Sequence, residues 1–169
     1  MPDSTLSQAL KEAYAAAPSD VIVYHTLEIN HPAFNQPIYV VRDTSDLNAN
    51  LENGDPVTFI RFAFRLVKPE VSPTGVPQMT VEIDNVSRDI LANIQLAMQS
   101  TSKITMTYRE YLSTDLSGPQ NDPPMEMVLS SIKADVFKVS ATASFGDDNN
   151  KRFPNEEYTA DRFPMLVVE

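Results

Sequence analysis

Alternation of apolar and polar residues is the feature that most restricts the fold of this chain. It is clearest in VTFIRFAFRLVKP, residues 57–69, where one face of an extended segment would carry Ile60, Phe62, Phe64 and Leu66. A period of two is that of a β-strand with one buried face. Such segments outnumber those of helical period. The sequence therefore predicts a mainly β fold with two helices (α+β). The antiparallel strands are expected to form a β-barrel or split barrel, with one helix packed on the sheet or plugging it.

Other stretches have the same β character. DVIVYHTLEIN (20–30) and QPIYVVRD (36–43) predict a pair of antiparallel strands, because a turn-like NHPAFN separates them. Further strands are expected in KITMTYREYLS (103–113), in the long run MVLSSIKADVFKVSATASF (127–145) and in FPMLVVE (163–169).

Two segments instead repeat at steps of three and four. The first, about residues 4–17, can start at a Ser or Thr cap and stops at Pro18. The second, about residues 86–99, follows an alternating strand directly, with Asp84, Asn85 or Ser87 as candidate caps. The interior is expected to receive Val81 and Ile83 from this strand and Ile90, Ile94 and Ala97 from one face of the helix. No glycine lies at this strand-to-helix junction, so it lacks the backbone cradle that a bound phosphate needs.

Length and composition bound the organisation of the chain. Its 169 residues predict one domain, 1–169, large enough for a hydrophobic core. Cysteine is absent, which excludes disulfides, thiolate metal sites and thiol nucleophiles. Two polar loops, about 113–125 and 146–162, are longer than most connections in a small domain, and we expect them to become ordered against partners.

Charge and hydropathy limit the partners. Thirteen Lys and Arg against 23 Asp and Glu give a net charge of −10, so we expect no tight nucleic-acid binding, which needs cations to neutralise phosphates. No stretch approaches the roughly 20 apolar residues of a membrane span, and the first residues do not have the pattern of a signal peptide. A soluble protein made in the cytosol is expected.

The candidate chemical groups form no recognised motif. His25 and His31 are the only histidines, and even with Glu28 they lack metal-ligand spacing. GDDNN (146–150) lacks the spacing of a calcium loop, with no glutamate twelve positions along from Asp147, and the pair Glu156 and Glu157 lies in a polar loop. We therefore predict that the protein is not an enzyme, with no catalytic, cofactor-binding or metal-binding residues and no cofactor.

Several residue groups leave alternatives open. Arg61 and Arg65 could lie on the solvent-exposed face of a sheet, or they could form ion pairs with a neighbouring chain. The methionines favour core filling, and the aromatic residues could form a core or line a ligand pocket. The methionines of this group are Met79, Met98, Met106, Met125 and Met127, and its aromatic residues are Phe59, Phe62, Phe64, Tyr108 and Tyr111. A small ligand-binding β-barrel is thus one alternative function, and an enzyme using carboxylates is a third.

Three stretches carry a family resemblance: TLSQALKEAYAAAP, VIVYHTLEINHPAF and, above all, IDNVSRDI (Ile83 to Ile90). In their order and spacing the chain resembles a family of small proteins encoded in the tail-gene clusters of long-tailed bacteriophages, and IDNVSRDI is similar to the strand-to-helix joint of tail-tip hub proteins. The resemblance covers most of the chain.

This resemblance implies a structural component of the tail tip or baseplate, a distal tail or hub ring that joins the tail tube to the receptor-binding apparatus around the DNA exit path. It also implies that the protein forms a symmetric homo-oligomer, which is assembled in the host cytoplasm and is located in the virion. The implied partners are tail tube, tape measure, hub or receptor-binding proteins. Lambda-like hub proteins hold a cysteine-ligated cluster in an additional C-terminal region, whereas this chain has no cysteine.

Overall fold

The computed structural model describes residues 6–67, 78–84, 88–135 and 138–145. Within them the chain forms one mixed sheet of nine strands and two helices, which confirms the predicted mainly β fold with two helices. The elements are α1 (Gln8–Ala16), β1 (Val23–Asn30), β2 (Ile38–Val41), β3 (Leu47–Asn50), β4 (Pro56–Arg61), β5 (Phe64–Val67), β6 (Gln78–Asp84), α2 (Arg88–Met98), β7 (Ile104–Leu112), β8 (Met125–Ala134) and β9 (Lys138–Ser144).

The strand order is β3-β4-β2-β1-β7-β8-β9-β6-β5. All pairings are antiparallel, as predicted, except that β2 runs parallel to β4. The run 127–145, predicted to have β structure, contains most of β8 and all of β9, which pair antiparallel with a register shift between Ser130 and Lys133. Residues 163–169, predicted as the last strand, lie outside the described part of the chain.

The alternating stretch 57–69 is two strands rather than one. β4 pairs with β3 and β2 near one end of the sheet, whereas β5 pairs with β6 at the other end. Between them, the Phe62 N–H donates to Val41 O and Ala63 O accepts from the Asp84 N–H, both at 2.9 Å. Because two adjacent residues bond to β2 and to β6, the sheet curves until these strands approach each other, as in a split barrel.

The main hydrophobic cluster fills the concave side of this sheet. It joins residues of β1, β2 and β5–β9 to Ile90, Ile94 and Ala97 on α2, so this helix packs on the sheet as predicted. Of the predicted interior residues, Phe64, Val81, Ile83, Ile90 and Ile94 are buried, and Phe62 and Leu66 are partly buried. Ile60 is a correction, since its side chain is 48% exposed.

A second cluster covers the opposite face of the sheet around β3 and β4. Its buried members are Val41, Leu47, Ala49, Leu51, Phe59 and Tyr111. Phe59 and Ile60 are neighbours on β4 and point to opposite faces. Phe59 is the buried one, on the face opposite the predicted interior stripe that begins at Ile60.

Helix α1 docks at the end of β7. It begins after Ser7, whose Oγ accepts a hydrogen bond from the Leu10 N–H at 3.1 Å, and it is shorter than the predicted 4–17. Leu10 and Ala13 are buried against Leu112 of β7. Asp84, a candidate cap for the second helix, belongs to β6, and residues 85–87 lie outside the described part.

Candidate functional site

Two adjacent charged residues lie in the middle of the sheet. Arg109 and Glu110 are neighbours on β7 and each is only 3% exposed. Because successive side chains of a strand point to opposite faces, they enter different environments. Arg109 faces Thr26 of β1 and Glu110 faces His25 in the strand register. Each anchors a buried polar cluster on its own face.

The Glu110 cluster consists of Tyr14, His25, Tyr108 and Glu110. The Tyr14 hydroxyl donates to Glu110 Oε1 at 2.9 Å, and the Tyr108 hydroxyl donates to the same oxygen. His25 Nδ1 lies 2.7 Å from the Tyr108 oxygen and 3.6 Å from Glu110 Oε1. Since Tyr108 uses its proton on the carboxylate, Nδ1 is the donor in its contact with Tyr108. Hydrogen bonds thus run from helix α1 and strand β1 to one carboxylate.

The environment of the cluster fixes its protonation. Burial would raise the pKa of Glu110, but the neighbouring His25 ring and the hydrogen bonds from Tyr108 and Tyr14 outweigh it and leave that pKa below its ordinary value. Burial, together with the negative charge of Glu110, raises the pKa of both tyrosines. Glu110 is therefore an anion and the tyrosines are neutral at pH 7, so the tyrosines serve as hydrogen-bond donors.

The connection between β7 and β8 closes over this cluster. The Glu110 N–H donates to Asn121 Oδ1 at 2.9 Å, Asn121 Nδ2 donates to Tyr108 O at 3.1 Å, and the Gln120 N–H donates to Glu110 O at 2.7 Å. Gln120 O in turn accepts from the Ser7 N–H at 2.8 Å. This corrects the expectation that the 113–125 loop needs a partner to become ordered, because the chain's own strands and helix cap hold it.

The Arg109 cluster lies on the other face and consists of Arg109, Glu28 and Glu52. The guanidinium donates through Nε and Nη2 to the two oxygens of Glu52, at 2.8 and 2.9 Å, and through Nη1 to Glu28 Oε2 at 2.7 Å. The paired fork on Glu52 is the geometry in which arginine binds a carboxylate most strongly. It fastens the turn between β3 and β4 to the centre of the sheet.

That turn depends on one glycine. Gly54 has a φ of 85°, a conformation that favours glycine, and its N–H donates to Leu51 O at 2.9 Å. The turn presents Glu52 to Arg109, whose hydrogen bonds lower the pKa of Glu52 below its ordinary value. Burial disfavours the charged form of Arg109 and would lower its pKa. The hydrogen bonds of the guanidinium to both carboxylates outweigh burial and raise the pKa of Arg109.

In the described part of the chain, every buried side-chain nitrogen or oxygen has a hydrogen-bond partner. The described cavities are lined by other residues, and the one inside the main cluster measures about 20 Å³, room for no more than a water molecule. The groups are arranged to hold the sheet, the helix and the loops together.

A larger groove opens beside the start of α2. This β2–β4 groove has a volume of about 550 Å³ and lies between the first halves of β2 and β4 and the start of α2. It is lined by Ile38, Tyr39, Val57, Ile60, Phe62 and Ile90, among others.

The histidines and acids considered from the sequence separate in the fold. His25 belongs to the Glu110 cluster, whereas Glu28 projects from the opposite face of β1 to Arg109. His31 is buried, accepting from the Ala33 N–H through Nδ1 and contacting Ser102 O through Nε2. Among the described residues, no three His, Asp or Glu side chains are grouped as metal ligands. Asp147, Glu156 and Glu157 lie outside the described part.

The aromatic residues of the ligand-pocket alternative do not converge. Phe59 and Tyr111 belong to the second cluster, Phe64 and Tyr108 to the main cluster, and Phe62 lines the β2–β4 groove. Arg61 and Arg65 are exposed, as on the wet side of a sheet. Met79, Met106 and Met127 are buried and Met125 is partly buried, in agreement with core filling.

The chain was compared with known families and proteins. Residues 9–158 match the family model described as Domain of unknown function (DUF1833). The search of the curated proteins found no match. Separately, neither helix in the described residues is long and apolar enough to cross a membrane.

Proposed function

We propose that this chain, which belongs to the DUF1833 family, is a structural component of a bacteriophage tail tip or baseplate. It would form part of a distal tail or hub ring between the tail tube and the receptor-binding apparatus, around the DNA exit path. Its partners would be other tail proteins, and its location the virion tail tip after assembly in the host cytoplasm.

One observation carries this proposal. β6 ends at Asp84 and α2 begins at Arg88, and the flanking residues Ile83 and Ile90 are buried in the same cluster. A strand followed closely in sequence by a helix that packs on the same sheet is the layout of the stretch IDNVSRDI, on which the resemblance to tail-tip proteins rests most strongly.

The two polar clusters also support a structural part. A subunit that is stacked and pulled in a tail benefits from elements that cannot shift, and buried, fully paired polar networks make a fold rigid. The Glu110 cluster joins α1, β1 and β7, and the Arg109 cluster joins β1, β7 and the turn after β3. We accordingly propose no catalytic role and no cofactor.

The charge of the chain agrees with a place along a DNA path. A wall that carries excess carboxylate repels phosphate and lets DNA slide, whereas a basic wall would retain it. The net charge is −10. We expect no retention of duplex DNA in filter binding at physiological salt, and tight binding would contradict this part of the proposal.

The decisive experiment uses the phage that encodes the chain. An amber mutation in its gene should yield particles with incomplete or missing tails, with infectivity restored by the wild-type gene on a plasmid. Gold-labelled antibody should mark the tail tip of complemented virions. Infectious, complete virions without the chain would refute the proposal.

A second experiment addresses assembly. Light scattering should show little self-association of the isolated chain and a symmetric oligomer when the neighbouring tail proteins are added, because the net charge of −10 opposes ring closure by this chain alone. A chain that stays monomeric with every tail component present would contradict the ring arrangement.

A further inference from the structure

The turn between β3 and β4 contains the only Asn-Gly sequence of the chain, Asn53-Gly54. Asparagine followed by glycine is especially prone to spontaneous deamidation, because glycine has no Cβ to hinder attack of its backbone nitrogen on the asparagine side chain. Both residues are exposed. The reaction consumes only water, so it needs no cofactor and no second protein.

Deamidation first closes a ring and then opens it. The Gly54 nitrogen forms a bond to Asn53 Cγ and the Cγ–Nδ2 bond breaks. Nδ2 leaves as ammonia, which carries away the proton that the Gly54 nitrogen gives up. Water then opens the resulting succinimide at either carbonyl. The products are aspartate and isoaspartate, and in both of them an uncharged amide has become a carboxylate.

Hydrogen bonds hold both reacting groups in the folded turn. The Gly54 N–H, which must lose its proton, donates to Leu51 O at 2.9 Å. The Asn53 side chain bonds twice to Asp55, since Oδ1 accepts from the Asp55 N–H at 3.0 Å and Nδ2 donates to Asp55 Oδ2 at 2.6 Å. The nucleophile and the leaving group are thus both engaged in the closed turn, so the reaction requires the turn to open.

Glu52 fastens this turn to the centre of the sheet. It directly precedes Asn53, and its two carboxylate oxygens accept from Arg109 Nε and Nη2 at 2.8 and 2.9 Å. Arg109 is only 3% exposed and lies within β7, so it is a fixed anchor. A turn that is held to the sheet in this way opens less often than one held only by its own hydrogen bonds.

We propose that Asn53 is a deamidation site and that the Arg109 cluster protects it by keeping the turn closed. Deamidation reverses the interaction with Asp55, because the amide that donated to Asp55 Oδ2 becomes a second carboxylate. The two adjacent anions repel each other, and isoaspartate also adds an extra backbone atom to the turn. The modification therefore weakens the hold of the turn on Glu52. This inference does not depend on the tail-tip proposal.

Peptide mapping of the full chain tests the site. The protein is incubated at mildly alkaline pH and digested briefly with trypsin, which releases residues 43–61 as one peptide that also contains Asn48 and Asn50. Both precede residues with a Cβ, which hinders ring closure, so they are internal controls. Asn53 should be converted first, and at least about tenfold more slowly in the folded chain than in urea. Earlier conversion of Asn48 or Asn50, or equal Asn53 rates with and without urea, would overturn the inference.

Glu52→Ala tests the protection, because it removes the bonds to Arg109 but keeps the Asn-Gly sequence. Deamidation of Asn53 should become about threefold faster or more. Glu82→Ala is the matched control, since it removes a carboxylate that pairs with Lys138 near the other end of the sheet, and it should leave the rate unchanged. Glu52→Gln, which keeps the side-chain length and loses the charge, replaces Glu52→Ala if that variant does not fold. Equal rates for the Glu52 and Glu82 variants would contradict the protection.

Asn53→Asp reproduces one product and tests the consequence of the modification. Asn48→Asp is its control and adds the same charge, because Asn48 Oδ1 accepts from Thr58 Oγ1 at 2.7 Å and an aspartate can still accept there. We expect a lower Tm for Asn53→Asp than for Asn48→Asp in thermal unfolding at neutral pH. Equal Tm values would refute the proposed weakening of the turn.

Discussion

Replacement of Arg109 by methionine tests whether the Arg109 cluster stabilises the fold. Methionine keeps much of the apolar stem but removes three charge-assisted hydrogen bonds, two to Glu52 and one to Glu28. The Glu28 side chain is 13% exposed and would be left buried without its cation, whereas Glu52, at 45%, can return to water. Removal of one partner of a buried ion pair costs about 3–5 kcal/mol, and most of it should come from Glu28.

The assay is urea unfolding followed by circular dichroism, with a thermal scan beside it. For a chain of this size each kcal/mol lowers Tm by roughly 2–4 °C, so we expect Arg109→Met to lower Tm by roughly 6–20 °C. Arg65→Met is the matched control, because Arg65 is exposed and such changes usually remain within about 0.5 kcal/mol.

A second variant distinguishes the cost of leaving the Glu28 carboxylate unpaired from the cost of the lost hydrogen bonds. Adding Glu28→Gln to Arg109→Met removes the unpaired buried carboxylate, and should recover at least about 1 kcal/mol of the loss. A loss below about 1 kcal/mol for Arg109→Met, or a double variant whose loss is the sum of the two single losses, would refute the reasoning.

Three further predictions test other parts of the fold. The pKa of Glu110 in the folded protein lies below its ordinary value of 4.5. The stability that the Glu110 carboxylate contributes is therefore complete above pH 4.5 and is lost as the pH falls through the pKa of the folded state. Glu110→Gln should therefore cost about 2–3 kcal/mol at pH 7, and a thermal series from pH 7 to 3 should show a shallower acid loss than in the wild type; equal pH profiles would contradict this. Ile94→Ala should cost about 2–5 kcal/mol and Leu96→Ala less than about 0.5 kcal/mol in urea unfolding, and similar values would mean that the packed face of α2 is wrong. Phe59→Ala should cost about 3–5 kcal/mol and Phe62→Ala about 1–2 kcal/mol by the same assay, and the reverse order would contradict the placement of β4.

The elements with strong local periodicity could be predicted from sequence. The stripe Ile90, Ile94 and Ala97 correctly gave the packed face of α2, and the alternation through Val81 and Ile83 correctly gave the buried face of β6. In each case one face is covered along the whole element, so the period and the burial coincide.

Prediction failed where one alternating run serves two environments. Residues 57–69 read as a single strand, but the chain passes from the β2 side to β6 at Phe62 and Ala63. Both faces of β4 carry apolar residues, because Phe59 enters the second cluster while Ile60 lines the groove. Which pairing a strand makes depends on distant residues, and a period of two contains no information about it.

The polar clusters were missed for a related reason. His25 and Glu28 are close in sequence and suggested a shared site, yet their side chains lie on opposite faces of β1. The available signal was the pair Arg109 and Glu110 inside KITMTYREYLS, since charged residues in the middle of an apolar strand are seldom buried without partners. The partners themselves, Glu52 and Tyr14, are distant in sequence and only the fold brings them near.

The placement of the two clusters on β7 bears on how this strand finds its register. Arg109 meets two carboxylates on one face, and Glu110 meets two hydroxyl donors on the other, one of which contacts His25. A slip of one residue would turn each side chain to the opposite face, which would bring Glu110 towards Glu28 and Glu52 and would separate Arg109 from both carboxylates. Like charges buried together, and a guanidinium without a carboxylate, are both strongly unfavourable. The charged pair therefore adds an electrostatic penalty to the apolar mismatch that the same slip produces.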